Sequence, residues 1–269
     1  MTAGQKARQI GWLPMMTDTS FFDFDGASFA YESGATILST VDWRIPEGAF
    51  HCLVGRSGCG KTTLLKLAAG LMLPTQGQVR VKGEVIKGPS QRVGFVFQTP
   101  ALLEWLPVID NVLLPISLHR LVQAEDRDNA LELLELVGIA DLAKRYPRQL
   151  SGGQQSRAAL ARVLLPWPPA LLMDEPFAAL DAITREELQD DLLRLVSLRK
   201  TTVLFVTHDI TEAVYLGDQV AVMEQGQISR VVTIDLKAPR GKNFRHENSF
   251  SIFCQSIREA MVQKMPEEM

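Results

Sequence analysis

The run Gly55-Arg56-Ser57-Gly58-Cys59-Gly60-Lys61-Thr62-Thr63 decides how the rest of the chain is read. From Gly55 to Thr62 it matches G-x-x-x-x-G-K-[ST], a loop that cradles phosphates. Glycines let the backbone curl so that successive N–H groups point inward. The loop opens a helix, whose N-terminus favours negative charge. Lys61 supplies a compact positive charge to the terminal phosphates, and the Thr62 hydroxyl suits Mg²⁺. The apolar run 50–54 before the loop reads as a strand and 64–69 after it as a helix, which is the context the pattern requires. The expectation is ATP with Mg²⁺, contacted by Gly55, Arg56, Ser57, Gly58, Cys59, Gly60, Lys61, Thr62 and Thr63.

Working outward, Ile37, Val41, Trp43 and Ile45 share the odd positions of 37–45, interrupted by Ser39, and predict a strand with one buried face. Val79, Val81 and Val85 about Gly83 suggest a small hairpin, and 92–98 another strand. Residues 99–165 read as mostly helical, with Leu131, Leu134 and Val137 at helical spacing. The fully apolar run 170–174 suits a buried parallel strand. Leu188, Leu192 and Leu195 mark an amphipathic helix, 202–207 a further buried strand, and 219–232 a hairpin turning near Gly226. Strands alternating with helices predict an α/β core with an antiparallel β part and a helical insertion near 99–165. Residues 1–20 read as a loose tail, 21–233 as the main domain and 234–269 as an extension. Within the extension, 234–249 resembles a linker, and Phe250, Phe253, Ile257 and Met261 suggest a helix. That helix has three possible seats: its own domain, a second copy, or nothing.

Composition narrows the class. At 269 residues and 46% hydrophobic, the chain can bury a sizeable core. A net charge of −3 argues against a general nucleic-acid binder. Cys52, Cys59 and Cys254 are odd in number and lack metal-type spacing, so free thiols are expected. The longest apolar candidate, 164–173, is broken by Pro166, Pro168 and Pro169 and is far short of the roughly 20 residues needed to span a bilayer. No apolar segment of signal type precedes Asp18, so a cytosolic chain is expected, with any membrane work done through a partner.

Two further stretches carry chemistry. Leu171-Leu172-Met173-Asp174-Glu175 is an apolar strand ending in two carboxylates. Downstream of a phosphate loop, Asp174 is expected to hold Mg²⁺ through water, and Glu175 to act as the base that orients or deprotonates the attacking water. Leu150-Ser151-Gly152-Gly153-Gln154, followed by a helix-like run, makes a second anion-binding N-terminus. One nucleotide does not need two such loops from one chain.

These motifs together resemble the ATP-binding cassette (ABC) ATPases across residues 21–233. The resemblance implies a P-loop (RecA-like) α/β fold with an antiparallel β part and a helical subdomain. It implies head-to-tail pairs in which ATP lies between the phosphate loop of one copy and Ser151, Gly152, Gly153 and Gln154 of the other. It further implies that Gln98 touches Mg²⁺ and water, that Ala179-Leu180-Asp181 crosses the dimer interface, and that His208 contacts the γ-phosphate. Tyr31 sits where an aromatic ring would stack on adenine, although with Phe29 nearby a buried core ring is the alternative.

The stretches 101–112 and 176–186 are similar to importers of nitrate, sulfonate, taurine and related small solutes, as is the extension with Pro239 and Arg240. Ser156, Glu104 and the Pro166-Trp167-Pro168-Pro169 run depart from that group's pattern without removing a catalytic group. The resemblance implies a bacterial importer ATPase working as a homodimer beneath transmembrane permease subunits, at the cytoplasmic face of the inner membrane, with a solute-binding protein delivering the cargo. Leu102, Leu103 and Trp105 either form part of a groove for the membrane subunit or pack inside the helical part. A non-transport ABC ATPase is the first rival, usually marked by coiled-coil insertions or tandem cassettes that this sequence lacks. A soluble phosphotransferase is the second, and 150–154 argues against it.

Overall fold

The computed structural model describes residues 20–32, 34–236, 240 and 242–262. Residues 1–19 of the expected tail, and Pro239, lie outside these. In chain order the elements are β1 (Ser20–Ala30), β2 (Thr36–Pro46), β3 (Phe50–Gly55), α1 (Lys61–Ala68), β4 (Gln76–Val81), β5 (Glu84–Val85) and β6 (Val93–Val96). Then come α2 (Val108–Ser117), α3 (Ala124–Leu136), α4 (Gly152–Leu164), β7 (Ala170–Asp174), α5 (Ala182–Arg199), β8 (Thr202–Val206) and α6 (Ile210–Leu216). The chain continues through β9 (Gln219–Glu224) and β10 (Gln227–Thr233) to a 3₁₀ turn at Lys242–His246 and α7 (Asn248–Val262).

Two sheets result. One is antiparallel in the order β2-β1-β4-β5. The other runs β10-β9-β3-β8-β7-β6, with only β10 antiparallel to its neighbour. The apolar run of β8 shows why the second sheet has this composition. Leu204 and Val206 join the core shared with α1 and the antiparallel sheet, while Val203 and Phe205 join the core on the opposite face. Both faces are covered, so alternation in the sequence disappears. α1 is thus enclosed between two sheets by Leu64, Leu65, Leu67 and Ala68. The opposite face carries α5, α6, the helices α2 to α4 and part of α7.

Several details differ from the sequence reading. β1 is a full strand with Phe21, Phe22, Phe24, Ala27 and Phe29 buried, and it starts at Ser20. The odd-position face of β2 holds for Val41, Trp43 and Ile45 but changes to Leu38, because Thr40 takes a positive φ of 49° and bulges the strand. On α3 the buried face is Ala130, Leu133, Leu134 and, just past the helix, Val137, whereas Leu131 is exposed. The expected linker contains the 3₁₀ turn with buried Phe244, and the Arg240 side chain is buried against the carbonyls of Val214, Tyr215 and Gly217. α7 seats Phe250, Cys254, Ile257 and Ala260 on its own domain, with Phe253 and Met261 only partly covered. All three cysteines are free. Among the described residues no helix is long and apolar enough to cross a membrane.

Candidate functional site

The parallel strands of the larger sheet end along one rim, where an open α/β sheet binds ligands. β3 delivers the loop Gly55–Gly60 to this rim. The loop's shape needs glycine at two points. An added Cβ on Gly55 would lie 2.4 Å from the Met223 carbonyl oxygen and 2.8 Å from Cys59 Sγ. Gly60 caps α1 with φ +108°, and its Cβ would lie 2.7 Å from Leu38 Cδ2 and 3.1 Å from the Ile37 oxygen. The start of β2 and the β9–β10 turn therefore brace the loop, helped by the Gly226 N–H donating to the Cys59 carbonyl at 3.1 Å.

The Lys61 ammonium is buried and donates to the Gly55 carbonyl at 2.7 Å and the Arg56 carbonyl at 3.1 Å. It makes no carboxylate ion pair within 4.0 Å among the described residues. A buried cation held by two carbonyls and the Cys59 sulfur, with no carboxylate partner, next to exposed Arg56, Ser57, Gly58 and Thr62 at a helix N-terminus, suits an anionic ligand. Thr63 points into the core behind them.

β7 brings Asp174 to the same rim, beside the Thr62 hydroxyl. Burial pushes the Asp174 pKa up; the nearby Thr62 hydroxyl and Lys61 oppose this, and Glu175 adds to it. No group of three or more His, Cys, Asp or Glu residues suited to a metal occurs among the described residues. One hydroxyl beside one carboxylate nevertheless fits Mg²⁺, which completes its shell with water and phosphate oxygens.

Glu175 follows with a left-handed backbone, φ +46°, held by its N–H donating to the Val206 carbonyl at 2.9 Å. A non-glycine residue in this region is strained and marks a place where the fold over-determines the backbone. The turn aims the carboxylate at the end of the neighbouring strand β8, where the His208 ring Nδ1 lies 3.0 Å from Glu175 Oε2. Thr207 and Asp209 flank His208; the Asp209 N–H donates to Thr207 Oγ1 at 3.0 Å, and Asp209 caps α6. Gln98 is exposed two residues past Val96, which pairs with Met173, so it lies alongside the acidic end of β7. Tyr31 is 47% exposed at the end of β1, edge-on to Phe29 at 5.1 Å, so the core-ring alternative does not hold.

Ser151 to Gln154 are placed on a different unit. Ser151 caps α4, its hydroxyl accepting from the Gln154 N–H at 3.3 Å while Gln154 Oε1 accepts from the Ser151 N–H at 3.0 Å. An added Cβ on Gly152 would meet nothing within 4 Å, and one on Gly153 would lie 3.0 Å from Leu180 Cδ2. α4 packs on α2, α3 and β6, whereas α1 packs on β7 and the antiparallel sheet. Asp181 caps α5 by accepting from the Thr184 N–H at 3.0 Å, a bond that holds its carboxyl below the usual range.

Three supporting residues escaped the sequence reading. Buried Asn111 pins 103–107 by accepting the Leu103 N–H at 2.7 Å and donating to the Leu103 and Leu106 carbonyls. Arg162 donates to the Pro100 and Ala101 carbonyls. Arg185 joins the Leu180 carbonyl to Asp209. Asn111 and Arg185 lie within the noted stretches 101–112 and 176–186, but their partners, like those of Arg162, 61 and 62 residues away, could not be read from local sequence. The segment so pinned displays Trp105 at 71% exposure, which rules out its packing inside the helical part.

The ABC transporter family matches residues 38–178. A bicarbonate transport ATP-binding protein, CmpD of Synechocystis sp., is 40% identical over 233 residues, covering 84% of this chain and 83% of that protein. An aliphatic sulfonates import ATP-binding protein, SsuB of Pseudomonas putida, is 46% identical over 206 residues, covering 77% of this chain and 74% of its own. Among solved structures, a dimeric ATP-binding cassette described as a post-hydrolysis state bound to ADP and Pi superposes with a TM-score of 0.74 at 32% identity, over 80% of this chain and all of that one. With this agreement added to the rim geometry, the chain belongs to the ABC transporter family.

Proposed function

We propose that this chain is the ATP-hydrolysing subunit of a bacterial importer for a small solute of the nitrate, sulfonate or taurine type. The observation that carries the reading is the pairing of Glu175 with His208 at 3.0 Å, one residue after the buried Asp174 that lies beside Thr62. Lys61 and the N–H groups of the loop bind the phosphates, and Tyr31 offers its exposed face to the adenine. Thr62, Asp174 and Gln98 would hold Mg²⁺, which when bound neutralises charge on the phosphate oxygens. Glu175 accepts a proton from the attacking water as its oxygen bonds to the γ-phosphorus and the bond to the ADP oxygen breaks. His208 orients that carboxylate and reaches the γ-phosphate.

The site is completed by a second copy. Ser151, Gly152, Gly153 and Gln154 of one chain face the nucleotide held by the other, and Asp181 crosses between them. The open space at Gly152, the exposed end of α4 and the dimeric assembly of the similar cassette support this arrangement. Exposed Trp105, with half-buried Leu102 and Leu103, receives the permease subunits. The assembly sits peripherally on the cytoplasmic face of the inner membrane, and a solute-binding protein supplies the cargo. The names of the sulfonate and bicarbonate relatives support uptake of a small solute.

Glu175→Gln tests the reading, because it keeps the shape and removes the base. ATP binding is expected to persist while phosphate release falls by about 10²-fold or more. Undiminished ATPase activity in the variant overturns it.

A further inference from the structure

We propose that Arg245, in the 3₁₀ turn Lys242–His246, is a positioning residue for His208, acting through a relay Arg245–Gln189–Glu212–Asp209. This rests on the reading of Glu175 and His208 given above. The relay joins the C-terminal segment to three elements of the core. The Arg245 guanidinium donates to Gln189 Oε1 on α5. Gln189 Nε2 donates to Glu212 Oε1 on α6 at 2.9 Å, both groups buried. The Glu212 N–H donates to Asp209 Oδ1 at 3.3 Å, and the Asp209 N–H donates to Thr207 Oγ1 at 3.0 Å, at the end of β8. Thr207 and Asp209 are the two neighbours of His208.

The polarity of this chain has one solution. A guanidinium only donates, so the Gln189 oxygen must face Arg245 and its amide NH₂ must face Glu212. Beyond the carboxylate, the backbone of Glu212 and the side chain of Asp209 carry the relay to the turn that holds His208. Such fully satisfied buried networks specify one geometry, and a missing member leaves a polar group unpaired. Arg245 is itself fixed: its guanidinium lies 3.5 Å from the centre of the Tyr215 ring, and its Nε lies 3.9 Å from Glu186 Oε1. The Tyr215 hydroxyl bonds Asp190 and the Arg240 carbonyl. A second anchor, Arg185 to Asp209 at 3.6 Å, holds the same turn from the other side, so losing Arg245 should loosen the turn without unfolding it.

The experiment compares Arg245→Ala, Arg245→Lys and a control, Phe253→Ala, which trims a partly covered contact of α7 outside the relay. For Arg245→Ala, kcat for ATP is expected to fall about tenfold with KM for ATP unchanged, since the phosphate loop is untouched. In the nucleotide-free protein, amide exchange across 207–210 should speed up about tenfold. Arg245→Lys, which restores a donor, should recover most of both. Phe253→Ala should lower the unfolding temperature and leave kcat and exchange at 207–210 as they were. Unchanged exchange at 207–210 in Arg245→Ala overturns the relay, as does a Phe253→Ala variant that reproduces both effects. A wild-type chain without ATPase activity would remove the functional reading and leave the exchange comparison to decide the relay alone.

Discussion

Gly152→Ala separates the stability of the chain from the composite site. Gly152 is the first residue of α4, after the capping Ser151, and a Cβ there meets no atom within 4 Å. Its φ lies outside the left-handed region, so alanine fits without strain. Replacing glycine by alanine at a compatible helical position stabilises by about 0.5–1 kcal/mol through the unfolded chain. For a chain of this size that raises the unfolding midpoint by about 1–4 °C. If a nucleotide held by a second copy must approach this helix N-terminus, the methyl group stands between the phosphate and the N–H donors. Loss of one such donor costs about 3–4 kcal/mol of transition-state stabilisation, or roughly 10²–10³-fold in turnover. The variant should therefore melt higher and hydrolyse about 10²-fold more slowly, with nucleotide affinity of the separate chain unchanged. Thermal melts, nucleotide titration and phosphate release over a range of protein concentrations read these three quantities. A variant that melts higher and hydrolyses ATP at the wild-type rate would show that Gly152 does not face a nucleotide.

Gly60→Ala and Gly58→Ala should differ in size for a steric reason. Both positions have positive φ, but only Gly60 is enclosed, by Leu38 Cδ2 at 2.7 Å and the Ile37 oxygen at 3.1 Å. Backbone strain alone costs about 1–2 kcal/mol, and the overlap at Gly60 adds about 1–3 kcal/mol. Urea unfolding should rank the two variants in that order; equal midpoints would contradict the bracing of the loop by β2. His51 gives a pH dependence. It is 2% exposed beside Trp43, and burial lowers its pKa from 6.5 to about 4, opposed by Asp218. The folded chain then binds fewer protons than the unfolded one, so the contribution is complete above pH 6.5 and is lost as pH falls toward 4. The loss is at most about 3 kcal/mol. His51→Gln should flatten the fall in urea midpoint between pH 7.5 and 4.5, and parallel curves for variant and wild type would refute the assignment.

The parts of the fold that the sequence disclosed are those set by local chemistry. The phosphate loop, the apolar strand ending in Asp174-Glu175 and the capped turn at Ser151 each show their residue types within about ten positions of chain. Features that depend on distant partners were not visible. β1 places Phe21 and Phe22 both inside across a register shift, which erases the two-residue period. Leu131, Leu134 and Val137 step by three, while the buried face follows 130, 133, 134 and 137, the mixed three-and-four spacing of a real helix. Residues 234–249 look like a linker because they are rich in charge, yet Arg240 is buried against carbonyls at the end of α6, a partner 23 to 26 residues away. The Glu175–His208 pair spans 33 residues and exists only because β7 and β8 are neighbours in the sheet.

That sheet order also explains why the two halves of the proposed composite site are held differently. Asp174 ends a strand covered on both faces, and Glu175 and His208 follow directly on β7 and β8, so their separation is set by the ladder pairing Asp174 with Val206. Ser151 to Gly153 sit at the tip of α4, whose main contacts run to α2, α3 and β6, the last an edge strand of the same sheet, with Arg157 reaching Glu187 of α5. A strand covered on both faces is held in place by its packing. Chemistry that must be exact is thereby placed on β7 and β8. The part proposed to meet a second copy, together with the segment displaying Trp105, is placed on the unit that also packs on β6. If a membrane partner binds at Trp105 as proposed, Asn111 ties that segment to α2, and α2 packs on α4, so the contact would be felt at Ser151.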